Sequence, residues 1–151
     1  MQQIRDIGAL ISCARVIANT SLTAAGSGDN TEVTGSIIDR YAIGTPQSAV
    51  LAIPFTAALD EDETLTISYT INDGAESDLG DEAELTTGSV VAATGPSGGG
   101  TVTGCVEIDL FIGGAGRYIR PDVTPDLSRG ATDTAAISGI MVFGGADRLP
   151  Q

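Results

Sequence analysis

No histidine, lysine or tryptophan occurs in the 151 residues. Each absence removes a class of chemistry. Without histidine the commonest general base is missing, and Ser-His-Asp or Cys-His arrangements cannot be assembled. Without lysine there is no Schiff-base chemistry and no P-loop. Aromatic residues number three Tyr and three Phe, too few to line a sugar-binding cleft with stacking platforms. Positive charge is also scarce. Seven arginines face twenty carboxylates, for a formal net charge of −13. Phosphate backbones and anionic membrane leaflets would be repelled by such a surface, so neither nucleic acid nor membrane is an expected partner. With no His and no constellation of catalytic groups, no enzymatic activity and no cofactor are expected.

Cysteine is rare too. Cys13 and Cys105 fit no short-spaced metal or redox motif. They are expected as two buried thiols of a reducing compartment, with a single disulfide as the alternative. Long apolar runs are missing. The stretch IGALISCARVIA (7–18) follows Asp6 and is interrupted by Arg15, which makes a poor signal peptide and is too short to span a bilayer.

What the chain does contain is period-two alternation. Ala49, Leu51, Ile53 and Phe55 share one face, with Val50 and Ala52 on the other, a strand expected to be buried on both sides or nearly so. Pro54 within it predicts a strand end, an edge or a bulge. Leu65, Ile67, Tyr69 and Ile71 alternate with threonine and serine up to a predicted turn at Asn72–Gly74. Residues 85–94 read as a further strand. Val106, Ile108, Leu110 and Ile112 mark another, and 118–124 one more, broken by Pro121. Residues 135–143 are nearly all apolar and read as a central strand. Seven or eight short strands separated by Gly, Pro, Asp and Asn predict an all-β antiparallel sandwich, jelly-roll-like in preference to immunoglobulin-like. Residues 1–18, with Ile4, Ile7, Leu10, Ile11 and Ala14 near helical spacing, read as an N-terminal arm or short helix, or equally as a first strand. Residues 19–151 form the sandwich domain.

Ten of the twenty carboxylates fall between Asp60 and Glu84. No run has EF-hand spacing, but Glu76, Asp78, Asp81 and Glu82 are candidates to crowd round a calcium ion. The plainer reading is a solvated loop that its own charge keeps extended. Gly113, Gly114 and Gly116, like Gly144 and Gly145, read as tight turns, where glycine supplies positive φ. The arginines have two uses in so acidic a chain. They can pair internally with residues such as Asp39, Asp122, Asp126 or Asp147, or they can make forked contacts to a neighbouring subunit.

Four segments carry a family likeness. They are VTGSIIDR (33–40), SAVLAIPFTAAL (48–59), GAGRYIRPDVTP (114–125) and TAAISGIMVFGGADRLP (134–150). Together they resemble a family of small head proteins of tailed bacteriophages, of the capsid cement or decoration type. The resemblance implies a virion structural protein, made in the host cytoplasm, that binds the outer capsid surface and bridges capsomers. It implies the major capsid protein as partner and a homo-oligomer, by analogy a trimer. Arg40, Arg117, Tyr118, Arg120, Arg129 and Arg148 lie in or beside these segments and are the interface candidates. Two other functions compete: a minor head-completion or tail-associated component, and a calcium- or glycan-binding sandwich module.

Overall fold

A computed structural model describes residues 7–128 and 132–146. After a single 3-10 turn at Ile7–Ala9 the described chain is all strand and loop. The strands are β1 (Ser12–Thr23), β2 (Val33–Thr34), β3 (Ile38–Asp39), β4 (Pro46–Leu59), β5 (Thr64–Gly74), β6 (Ala83–Thr94), β7 (Gly100–Phe111), β8 (Tyr118–Leu127) and β9 (Thr134–Ala146). They form two antiparallel sheets. Sheet A has the order β1-β9-β4-β7; sheet B has the order β2-β8-β5-β6, with β3 also pairing β8. The architecture is a jelly-roll-like sandwich.

Alternation decides which side chains fill the space between the sheets. Leu51, Ile53, Ile67, Ile71, Ile119 and Met141 are fully buried there. Aliphatic and largely β-branched, this core reflects the shortage of aromatics. The apolar segment 135–143 is central in sheet A, between β1 and β4, as expected. It buries Ala135, Ile137, Met141 and Phe143 on one face only, while Ile140 on the other is 40% exposed. The expectation that β4 is buried on both sides holds for one side, since Val50, Ala52 and Pro54 are half-buried.

Several local expectations are corrected. Strand β1 runs through residue 18, so residues 12–18 follow the first-strand alternative and not the arm or helix, and the sandwich begins before residue 19. Pro54 marks neither a strand end nor a sheet edge. It sits inside the 14-residue β4, where the register with β9 lapses at Ile53 and Pro54 and resumes at Phe55. A missing N–H is tolerated at such a lapse. Likewise Pro121 lies within β8 opposite Ile71, and on the other side it meets the gap between β2 and β3. Gly35 occupies that gap because a Cβ there would overlap the Pro121 carbonyl oxygen.

Asn72, Asp73 and Gly74 are strand residues of β5 paired with β8, and the chain reverses only after them. Gly144 and Gly145 lie within β9, although Gly145 does adopt φ 64°. Gly113 and Gly114 do form the expected tight turn, closed by the Ala115 amide donating to the Ile112 carbonyl at 3.1 Å, but neither they nor Gly116 have positive φ. For Gly116 the requirement is close approach, since a Cβ would stand 2.5 Å from the Gly74 oxygen. Cys13 and Cys105 are free and exposed, not buried. They lie on β1 and β7, the two edges of sheet A. Three strand spacings, about 14 Å, separate those edges, well beyond the reach of a disulfide.

A candidate docking site at the Arg117 end of the sandwich

The turn after β7 and the loop after β3 meet at one end of sheet B. The pairing of Asp39 with Tyr118 brings them together, and the Arg40 amide donates to the Arg117 carbonyl at 2.9 Å. Arg40 itself is 2% exposed. Its guanidinium donates to the carbonyls of Ala115, Gly116 and Pro46, the last at 3.0 Å. Burial lowers its pKa, partly offset by the field of nearby Asp73. Asp73 in turn accepts from the Gly116 amide. Arg40 therefore organises the turn from inside and presents no docking surface.

Above this base stands Arg117. Its Nε and Nη2 donate to the two oxygens of Asp39 at 3.0 and 2.7 Å, a forked pair. Its guanidinium carbon lies 5.4 Å from the Tyr41 ring centroid and 5.0 Å from that of Tyr118. Asp39 also accepts from the Tyr41 amide at 3.0 Å. The hydrogen bonds from Arg117 hold the Asp39 carboxyl below its ordinary pKa, and the same pairing raises that of Arg117. Tyr41 is 59% exposed. Arg117 thus lies over two aromatic rings and against a carboxylate, its side chain 45% exposed and its Nη1 unbonded among the described residues.

The six interface candidates are thus distributed unequally. Arg117 and Tyr118 come together, and Arg40 supports them from beneath. Arg120 lies elsewhere, on the outer face of sheet B. It pairs with Glu82 at 2.8 Å and with Asp122 at 2.9 Å. Asp122, 4% exposed, also accepts from Asn72 and from the Gly35 amide. The Asp122 partnership raises the pKa of Arg120. Arg129 and Arg148 lie outside the described residues. Of the carboxylates expected as internal partners, Asp39 and Asp122 are used, Asp126 forms no ion pair among the described residues, and Asp147 lies outside them. Tyr41 was missed. Its signal was present as an aromatic directly after Asp39-Arg40.

The calcium candidates do not converge. Asp81 accepts from the amides of Ala75 and Glu76, which lowers its pKa. Asp78 accepts from the Gly80 amide, and Glu82 pairs with Arg120. Among the described residues no three metal-ligating side chains gather. The acidic loop is not extended as expected. It folds into tight turns, and Leu79 is buried at its centre.

No protein-family model and no curated protein matches this chain. Among solved structures it is similar to the infectious bursal disease virus Gx strain structure, with TM-score 0.51 and 15% identity over 93% of this chain. The VP2 subviral particle of the same virus gives 0.49 and 12% over 90%, and the PBSX exported protein XepA gives 0.44 and 11% over 100%. This chain spans 33%, 32% and 42% of those chains respectively. The first likeness is one of fold: a β-sandwich that also occurs in a viral particle.

Proposed function

We propose that this protein is a virion structural component, a cement or decoration protein on the outer surface of a tailed-phage head. It acts as a brace and transforms no substrate. The observation that carries the reading is the Arg117–Tyr41–Tyr118 stack, anchored by Asp39 and buttressed by buried Arg40. Arginine and tyrosine are the residue types that dominate binding energy at protein interfaces, above all when held in place beforehand. The segment resemblance to phage head proteins supports the same reading. So does a net charge of −13, which keeps nucleic acid off the surface. The partner is the major capsid protein, presenting acidic or carbonyl groups to the free edge of Arg117.

Quantitative mass spectrometry of purified virions tests this. Hundreds of copies per particle are expected, and a dozen or fewer would indicate a head-completion or tail-associated role instead. Particles assembled without the protein should release DNA at lower temperature. Arg117→Ala should reduce occupancy on the particle while leaving the melting temperature of the free protein nearly unchanged.

A further inference from the structure

Among the described residues, no element packs on the outer face of sheet A. The strand registers align it into rows. One row reads Arg15, Ile140, Ala52, Glu107; the next reads Cys13, Val142, Val50, Asp109. Beyond them Gly144 and Ser48 leave a hollow of about 570 Å³, rimmed by Ile11 and by Phe111, which is 79% exposed. In these two rows the middle columns are apolar; Ser48, Thr56, Ser138 and Thr134 stand further along them. The β1 column carries one positive charge and the β7 column two negative ones. Arg15 makes no ion pair among the described residues and only touches Asn19 at 3.3 Å. Glu107 and Asp109 show no partner among them either.

From this arrangement we infer that the face binds a second copy of the same chain, about a two-fold axis running parallel to the strands over the β9–β4 seam. Such an axis exchanges left and right columns and keeps each row. Arg15 of one copy then meets Glu107 of the other, with Asp109 one row away, and the pair occurs twice by symmetry. Ile140 meets Ala52, Val142 meets Val50, and each Phe111 closes over the other copy's Ile11. An in-plane axis across the strands would set the Glu107 and Asp109 column against itself and Arg15 near Arg15. Charge therefore selects the axis. Four strands about 4.8 Å apart and about twelve residues long at about 3.3 Å per residue cover roughly 760 Å², close to the about 800 Å² that one partner contributes to a standard stable interface. It does not rest on the capsid reading, and it differs from the three-fold arrangement that the family resemblance implies.

Analytical ultracentrifugation of the full chain tests it. A monomer–dimer equilibrium is expected. Arg15→Glu and Glu107→Arg should each weaken dimerisation by about tenfold or more, because each reversal creates two like-charge contacts, and the double variant should recover most of the loss. Both positions are exposed, so the stability of the monomer, measured at concentrations too low for dimerisation, should stay near wild type. In a Cys13→Ser, Cys105→Ser background, Arg15→Cys with Glu107→Cys should give an oxidised covalent dimer on a non-reducing gel. A chain that remains monomeric, a trimer, or a dimer that fails to cross-link through these positions would overturn the proposal. Charge reversals without effect would overturn charge as the selector of the axis.

Discussion

The two outer faces of the sandwich solve the same problem in opposite ways. On sheet B, apart from exposed Val91, the outward side chains along β5 and its neighbours are largely polar and bond one another. Ser68 and Ser89 meet at 3.2 Å, Thr70 and Thr87 at 3.1 Å, and Arg120, Asp122, Asn72 and Glu82 form a closed network. On sheet A, the outward positions at the middle of β4 and β9 are Val50, Ala52, Pro54, Ile140 and Val142, with Arg15, Glu107 and Asp109 on the flanking strands. A polar face whose donors and acceptors are satisfied internally has little to gain from a partner. An apolar face with unpaired charge at its margins gains both burial and pairing. Polarity alone therefore does not identify a binding surface; what matters is whether the groups are already matched.

The sharpest test of that contrast is Asp122→Ala. It leaves Arg120 without its main partner and strips acceptors from Asn72 and the Gly35 amide. A loss of about 3–5 kcal/mol is expected in urea unfolding, as for a broken buried pair. A loss below 1 kcal/mol would show that the sheet B network is ornamental. Thr87→Val removes the hydroxyl that donates to the Tyr69 carbonyl at 2.9 Å and meets Thr70. About 0.5–1 kcal/mol should be lost at this exposed site.

On the opposite face, Val142→Thr should change the stability of the monomer by less than about 0.5 kcal/mol, yet weaken self-association. An equal effect on both would erase the distinction between the faces. The smallest effect concerns acid. The Asp39 pKa is depressed, so its contribution is present above the ordinary value of 3.8 and is lost as pH falls through the lower folded value. Asp81, held low by two backbone amides, has the same sign. Melting temperature should therefore drop as pH falls below about 3.8, and less steeply in Arg117→Ala. An identical acid profile in that variant would remove the Arg117–Asp39 pair from the account.

Much of the fold could be read from alternation. Leu65, Ile67 and Ile71, or Val106, Ile108 and Leu110, fall every second residue because a pleated strand turns alternate side chains to one core. Prolines and glycines misled where neighbours compensate. Pro54 and Pro121 lie inside strands because the adjoining ladder lapses beside them, and Gly116 serves a close backbone approach that no local pattern announces. The cysteines were misplaced because residue type suggests burial, whereas Cys13 and Cys105 fall on the outward phase of their strands. At the candidate site, Arg117 and Tyr118 were visible as neighbours in sequence. Arg40 looked equivalent to them and proved to be interior.

Composition and period two sufficed to establish an acidic, histidine-free β-sandwich with an aliphatic core, because both follow from residue type and local backbone geometry. Pairing was another matter. Which arginine is buried on carbonyls, which is caged by tyrosines, and which apolar strand face looks outward all depend on contacts between segments tens of residues apart. Arg40 and Ala115, or Arg15 and Glu107, become related only when strand order and register bring distant columns onto one surface.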